Sequence, residues 1–133
     1  MKFPRPTAAR INVSGDAAPD IVWQRYITPA TWSSWSPQIR SVDYPHRTIR
    51  AGTAGMVHAI GGVRVPFRIE QVDPDERRWV WAVKPLGLSM RLVHTVEDQA
   101  AGSRTGLEVS GPPLVVHGYA LASAVALHRL VRR

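Results

Sequence analysis

His58, His94 and Tyr119 are the side chains of this 133-residue chain whose types and positions suit proton chemistry. An imidazole on an apolar wall can give or take a proton near neutral pH, or orient a ligand carbonyl. A phenol beside it supplies a donor. Around them stand Trp32, Trp35, Trp79 and Trp81, with Met56, Phe67, Met90 and Leu92, side chains suited to holding a flat or greasy ligand. Each has an ordinary explanation as well. A histidine can be hydrogen-bonded inside a core or at a sheet edge, a tyrosine hydroxyl can reach solvent, and tryptophans can simply pack. On residue type alone both readings stay open.

Other chemistries are harder to build here. The five histidines, His46, His58, His94, His117 and His128, are far apart and form no compact ligand pattern. Gly52-Thr53-Ala54-Gly55 lacks the Gly-Lys-Ser/Thr that would complete a phosphate loop. The absence of cysteine excludes disulfides, thiolate metal sites and cysteine nucleophiles. The expectation is a site without metal or cofactor.

The elements that must position these residues can be read from spacing. Residues 1–7 hold two prolines and two basic residues and suggest a loose tail, and Ala8 to Ser14 alternates as a first strand. Pro19 to Ile39 carries three of the five tryptophans and two internal prolines. Ile21, Val22, Tyr26 and Ile27 recur near a helical period, Asp16 or Asp20 can cap the start, and Pro29 breaks the run before a second short helix with Trp32 and Trp35. Two short helices meeting at a bend would make a lid.

Ile39 to Tyr44 is a short strand, and Gly61-Gly62 is a two-residue hairpin signal. That turn places Ile60 opposite Val63, His58 opposite Val65 and Met56 opposite Phe67 on one apolar face, with Arg64, Arg68 and Glu70 on the other. A turn at Lys84-Pro85-Leu86-Gly87 pairs Trp81 with Met90 and Trp79 with Leu92, and brings His94 opposite Arg77. Arg104 to Ser110 is the last strand. Gly111-Pro112-Pro113 then opens a long helix whose stripes run through Leu114, Leu121, Val125 and Leu127 or His128, and through Tyr119, Ala122 and Ala126. The order predicts an α+β domain spanning the chain, a curved antiparallel sheet covered by one long helix, with a cavity where the helix cannot fill the sheet's width. Glu70, Glu97 and Glu108 fall on the outward parity, so the interior holds no carboxylate.

The charge is +7, carried mainly by scattered arginines with no interleaved aromatic platform. No nucleic-acid partner is expected from that pattern, and the basic residues read as a solvated surface. The N-terminal MKFPRPTAAR lacks a signal-peptide core, and the C-terminal apolar run is interrupted by His117, Ser123 and His128. A cytoplasmic protein, monomer or homodimer, is the expectation.

Four phrases carry a family resemblance: the proline and Trp-x-x-Trp-Ser-Pro sequence from Pro29 to Pro37, Glu70-Gln71-Val72-Asp73-Pro74 followed by Trp79-x-Trp81, Gly102-Ser103-Arg104-Thr105, and Gly111-Pro112-Pro113 before the last helix. In this order they resemble the SRPBCC superfamily, which includes START domains, birch-pollen-allergen-like proteins and polyketide cyclases or dehydrases. The resemblance covers nearly the whole chain. It implies a helix-grip fold of about six or seven strands, with a pocket smaller than in the larger START domains. It is far less specific for function. The leading expectation is a binder of a hydrophobic or aromatic, lipid- or polyketide-like molecule. The first alternative is a cyclase or dehydratase using His58 or His94 as acid or base with Tyr119, and the second is a partner-binding module with a basic surface.

Overall fold

In chain order the elements are β1 (Thr7–Gly15), α1 (Pro19–Ile27), α2 (Trp32–Trp35), β2 (Ile39–Asp43), β3 (Ala54–Ala59), β4 (Arg64–Asp73), β5 (Arg78–Val83), β6 (Met90–Gln99), β7 (Gly102–Gly111) and α3 (Pro113–Leu130), in a computed structural model that describes residues 7–133. Residues 1–6, most of the expected tail, lie outside the described residues, and Thr7 already belongs to β1. The strands form one antiparallel sheet in the order β1-β7-β6-β5-β4-β3-β2. The two short helices follow β1, and α3 lies across the inner face against β1 and β7. This is the helix-grip fold.

Pro19 starts α1, where a missing backbone donor costs nothing. Neither aspartate caps it as expected. Ala18 holds the N-cap position, the Asp16 carboxylate accepts the Arg133 amide at 2.8 Å, and Asp20 pairs with Arg77 at 2.5 Å. The helix buries Val22, Trp23 and Tyr26, one helical face, and leaves Ile21 in solvent. A 3-10 turn at Pro29–Thr31 then leads into α2, and the Trp32 indole N–H donates to the Tyr26 carbonyl at 2.8 Å, tying the two helices together.

Along α3 the buried side is Val116, Ser123, Ala126, Leu127 and Leu130. Val125 is 53% exposed and His128 faces solvent, so the expected stripe is rotated by about one residue. The side chains of Leu114, Leu121 and Ala122 lie outside the described residues. The helix end is tightly held. The Arg25 guanidinium donates to the Leu130 and Arg132 carbonyls, each at 2.6 Å, serving acceptors that a helix C-terminus leaves unpaired and placing a cation at the negative end of the dipole. Val131 accepts the Ala17 amide at 2.9 Å, and Gly15 packs so closely there that a methyl on its Cα would overlap the Val131 carbonyl.

Two hairpin registers differ from the sequence reading. Between β3 and β4 the loop is Ile60-Gly61-Gly62, closed by the Ala59 amide on the Val63 carbonyl, with both glycines at φ of 76°. A three-residue loop shifts the pairing by one, giving Val57 opposite Val65 and His58 opposite Arg64. Because side chains alternate across a strand, that single slip exchanges the faces of β3. Between β5 and β6 the connection runs from Lys84 to Ser89, longer than the expected turn, and Trp79 pairs with His94, Trp81 with Leu92 and Val83 with Met90. A slip of two preserves parity, so the inward set on β5 and β6 is unchanged.

Candidate functional site

Two neighbouring rows of side chains cross the concave face of the sheet. One contains Trp79, His94 and Leu107, and the other Trp81, Leu92 and Val109. Trp32 and Trp35 from the lid and Tyr119, Ser123, Ala126 and Leu127 from α3 close over them, leaving a cavity of about 160 Å³. Its partly exposed lining residues, among them Gln38, Ile39, Ala59, Val65, Pro85 and Tyr119, mark the solvent-facing end.

Of the residues singled out by sequence, Trp32, Trp35, Trp79, Trp81, Leu92, His94 and Tyr119 line this space. The others do not. His58 and Met56 sit on the outer face because of the one-residue slip, and His58 Nε2 lies 2.7 Å from the Asp43 carboxylate in a largely exposed pair. Phe67 is inward but sits beneath Trp81 and Tyr44, with ring centres 5.0 and 5.9 Å away. Met90 is buried against Gly111 at the end of the sheet, outside the lining. The cavity thus brings together one of the two proposed histidines with the tyrosine.

His94 is 6% exposed and lies flat on Trp79, ring centres 3.7 Å apart and planes within 6°. Its Nδ1 is 3.3 Å from the Trp79 carbonyl oxygen. A carbonyl only accepts, so Nδ1 carries the proton and Nε2 keeps a lone pair. Burial pushes the imidazole pKa down to about 3, against a small opposing effect of that hydrogen bond. At neutral pH the ring is neutral and a poor base.

Tyr26, fully buried, also lines the cavity, although helical spacing alone marks it only as part of the apolar stripe of α1. Its hydroxyl is hydrogen-bonded to Thr105 Oγ1, and Thr105 in turn donates to the Thr95 carbonyl at 3.0 Å. A threonine has one hydroxyl hydrogen, so Tyr26 must be the donor to Thr105. Burial raises its pKa well above the usual phenol value. Tyr119 is pushed up to about 12 by burial of its hydroxyl, partly offset by a hydrogen bond with Ser123. Both phenols stay protonated.

The tryptophans supply a further feature. The indole N–H groups of Trp35, Trp79 and Trp81 are buried and have no hydrogen-bond partner among the described residues. A buried unpaired donor costs roughly 1–3 kcal/mol, and native folds rarely leave several in one place. The sequence offered no sign of this, because partner geometry depends on how rings from the lid and sheet meet. Among the described residues no carboxylate, lysine or arginine lines the cavity, and no group of three or more potential metal ligands occurs.

Fold and cavity together define a helix-grip protein with an apolar, aromatic-walled interior. The chain belongs to the polyketide cyclase/dehydrase and lipid transport family, whose profile matches residues 8–133. Its fold is similar to that of a Chromobacterium violaceum protein (TM-score 0.72, 18% identity, 96% of each chain covered). It is similar also to Ara h 8.0201 (TM-score 0.76, 15% identity, 95% of each chain). A third similar structure is DynU16, from the dynemicin biosynthetic locus (TM-score 0.76, 18% identity), where the match covers 93% of this chain and 45% of that one. No curated protein matches by sequence.

Proposed function

We propose that this protein binds a small, neutral, ring-containing molecule with at least one acceptor oxygen, held between the lid, the sheet and α3. The observation that carries the reading is the set of unpartnered indole N–H groups on Trp35, Trp79 and Trp81, three residues that line a mostly apolar cavity. A carbonyl or ether oxygen has two lone pairs and can serve two such donors, recovering part of the cost of leaving them unpaired. His94 Nε2 offers a lone pair to a ligand hydroxyl. Size narrows the choice further. An apolar cavity of about 150 Å³ accommodates benzene, and this one is about 160 Å³. A one-ring molecule therefore fits the closed form, whereas a long acyl chain or several fused rings would need the lid to open.

Charge favours a neutral ligand. Moving a carboxylate into a wall without any cation costs several kcal/mol, which apolar contact with one ring does not return. The cyclase or dehydratase alternative draws support from the family and from the biosynthetic setting of DynU16. It asks His94 to accept a proton when its conjugate acid has a pKa of about 3, and asks Tyr26 or Tyr119 to lose one from a raised pKa. Binding makes no such demand on these groups.

Native mass spectrometry with equimolar acetophenone, benzoate, palmitate and a sterol tests the proposal. The expected result is a one-to-one acetophenone adduct lost on denaturation, with little benzoate adduct. A dominant palmitate or sterol adduct, or none from any compound, would count against it.

A further inference from the structure

Strand direction sorts the loops into two ends of the sheet, and the ends differ in charge. The β4–β5 turn, the β6–β7 hairpin and the segment from β1 into α1 share the far end, together with the C-terminus of α3. There lie Asp16, Asp20, Asp73, Asp75, Glu76, Glu97 and Asp98, seven of the ten carboxylates, among Arg25, Arg77, Arg78 and the C-terminal arginines. The other three, Asp43, Glu70 and Glu108, are paired with His58, Arg91 and Arg10. The cavity-mouth end holds the β3–β4 loop, the β5–β6 connection and the entry to β2, with the start of β1 and the β7–α3 junction further along the same edge. Arg40, Arg64 and Lys84 stand exposed there, without an ion-pair partner among the described residues.

The same end bears aliphatic side chains in solvent: Leu86 is 82% exposed, Ile60 58% and Leu88 39%. They sit at the tips of adjacent hairpins, since the Lys84 amide bonds the Pro66 carbonyl and Ala59 and Pro85 both line the cavity. Leu86 is held outward by a left-handed backbone, φ 53°, without a glycine's freedom.

We propose that this end docks on an anionic phospholipid surface, with Leu86, Leu88 and Ile60 entering the headgroup boundary and Arg40, Arg64 and Lys84 lying over lipid phosphates. Aliphatic side chains flanked by unpaired cations, on an end almost without carboxylates, match a layer that is negative outside and apolar just beneath. Separate hairpin tips do not make the broad buried core of a protein–protein interface. The choice of a bilayer over an acidic protein also draws on the ligand reading above, because an apolar ligand would be concentrated in a membrane and the cavity opens between these tips. Docking itself is read without any ligand, so it can fail while ligand binding stands.

Vesicle sedimentation with phosphatidylcholine, with and without about one third phosphatidylglycerol, is the test, using the full chain. Partition onto the anionic vesicles is expected, falling about five-fold for each of Arg64→Ala and Lys84→Ala as one attractive charge is lost. It should fall at least ten-fold for Leu86→Ser with Leu88→Ser, while remaining unchanged for Arg129→Ala. These are exposed positions, and unchanged melting curves verify folding. Vesicle binding that ignores the mouth variants, binding lost equally through Arg129→Ala, or absence of binding would overturn the proposal. So would light scattering showing that the leucine pair instead joins two copies of the chain.

Discussion

The imidazole of His94 lies face to face with the indole of Trp79, 3.7 Å between ring centres, while its Nδ1 bonds the carbonyl of that same tryptophan. One cross-strand pair therefore fixes the histidine's position and its tautomer, and burial keeps it neutral.

That neutrality predicts a pH signature. Above about pH 6.5 His94 is uncharged in both folded and unfolded chains, and its burial carries no ionisation penalty. As pH falls, the unfolded chain binds the proton first, while the folded one waits until about pH 3. Stability should therefore drop by about 1.4 kcal/mol per pH unit through that window on account of this group. Denaturant unfolding at several pH values checks this, with His94→Phe flattening the slope. Equal slopes, or a His94 resonance titrating near 6.5, would contradict it.

The Tyr26 to Thr105 to Thr95 relay ties α1 to the sheet from within. Tyr26→Phe should cost about 1–2 kcal/mol. A double-mutant cycle with Thr105→Val should show the two losses to be coupled. Additive losses would mean that the hydroxyls do not depend on one another.

The outward placement of His58 has a different consequence. Its pair with Asp43 is exposed, and such pairs contribute about 0–1 kcal/mol. His58→Ala should lower stability by no more than about 1 kcal/mol and leave ligand affinity within two-fold or so, whereas Trp79→Ala should abolish binding. A large loss of affinity in the His58 variant would restore the two-residue hairpin and its inward histidine.

Gly15 permits the closing contact between the start and end of the chain. Gly15→Ala places a methyl against the Val131 carbonyl and should destabilise by about 1–3 kcal/mol in chemical unfolding. Wild-type stability in that variant would show that the helix end has room to move.

The fold was legible because its signals are local and repeat with fixed periods. Pro19 and Pro37 bracket the lid with Pro29 at its bend, alternation marks β5 and β6, and Gly111-Pro112-Pro113 separates β7 from α3. The cavity tryptophans followed from parity, which a two-residue slip at Lys84 to Ser89 leaves intact. His58 was misplaced because Gly61-Gly62 is also compatible with a three-residue loop, and one residue is enough to turn a strand over. Tyr26's hydrogen bond to Thr105 spans 79 positions and has no local trace. The unpartnered indoles could not be read at all, since they depend on what the lid brings near. Nor could the sorting of carboxylates to one end, since they are scattered along the sequence and only strand direction gathers them.

The most direct test of the ligand reading is to follow the indole N–H resonances while titrating acetophenone and, separately, ethylbenzene, a similar shape without the oxygen. Acetophenone should saturate and move the Trp35, Trp79 or Trp81 N–H signals downfield, leaving Trp32, whose N–H already bonds Tyr26, nearly unmoved. Ethylbenzene should bind about ten-fold more weakly, as expected for loss of one hydrogen bond. Equal affinity for the two compounds, or indole signals that stay still at saturation, would contradict the assignment of those donors to a ligand oxygen.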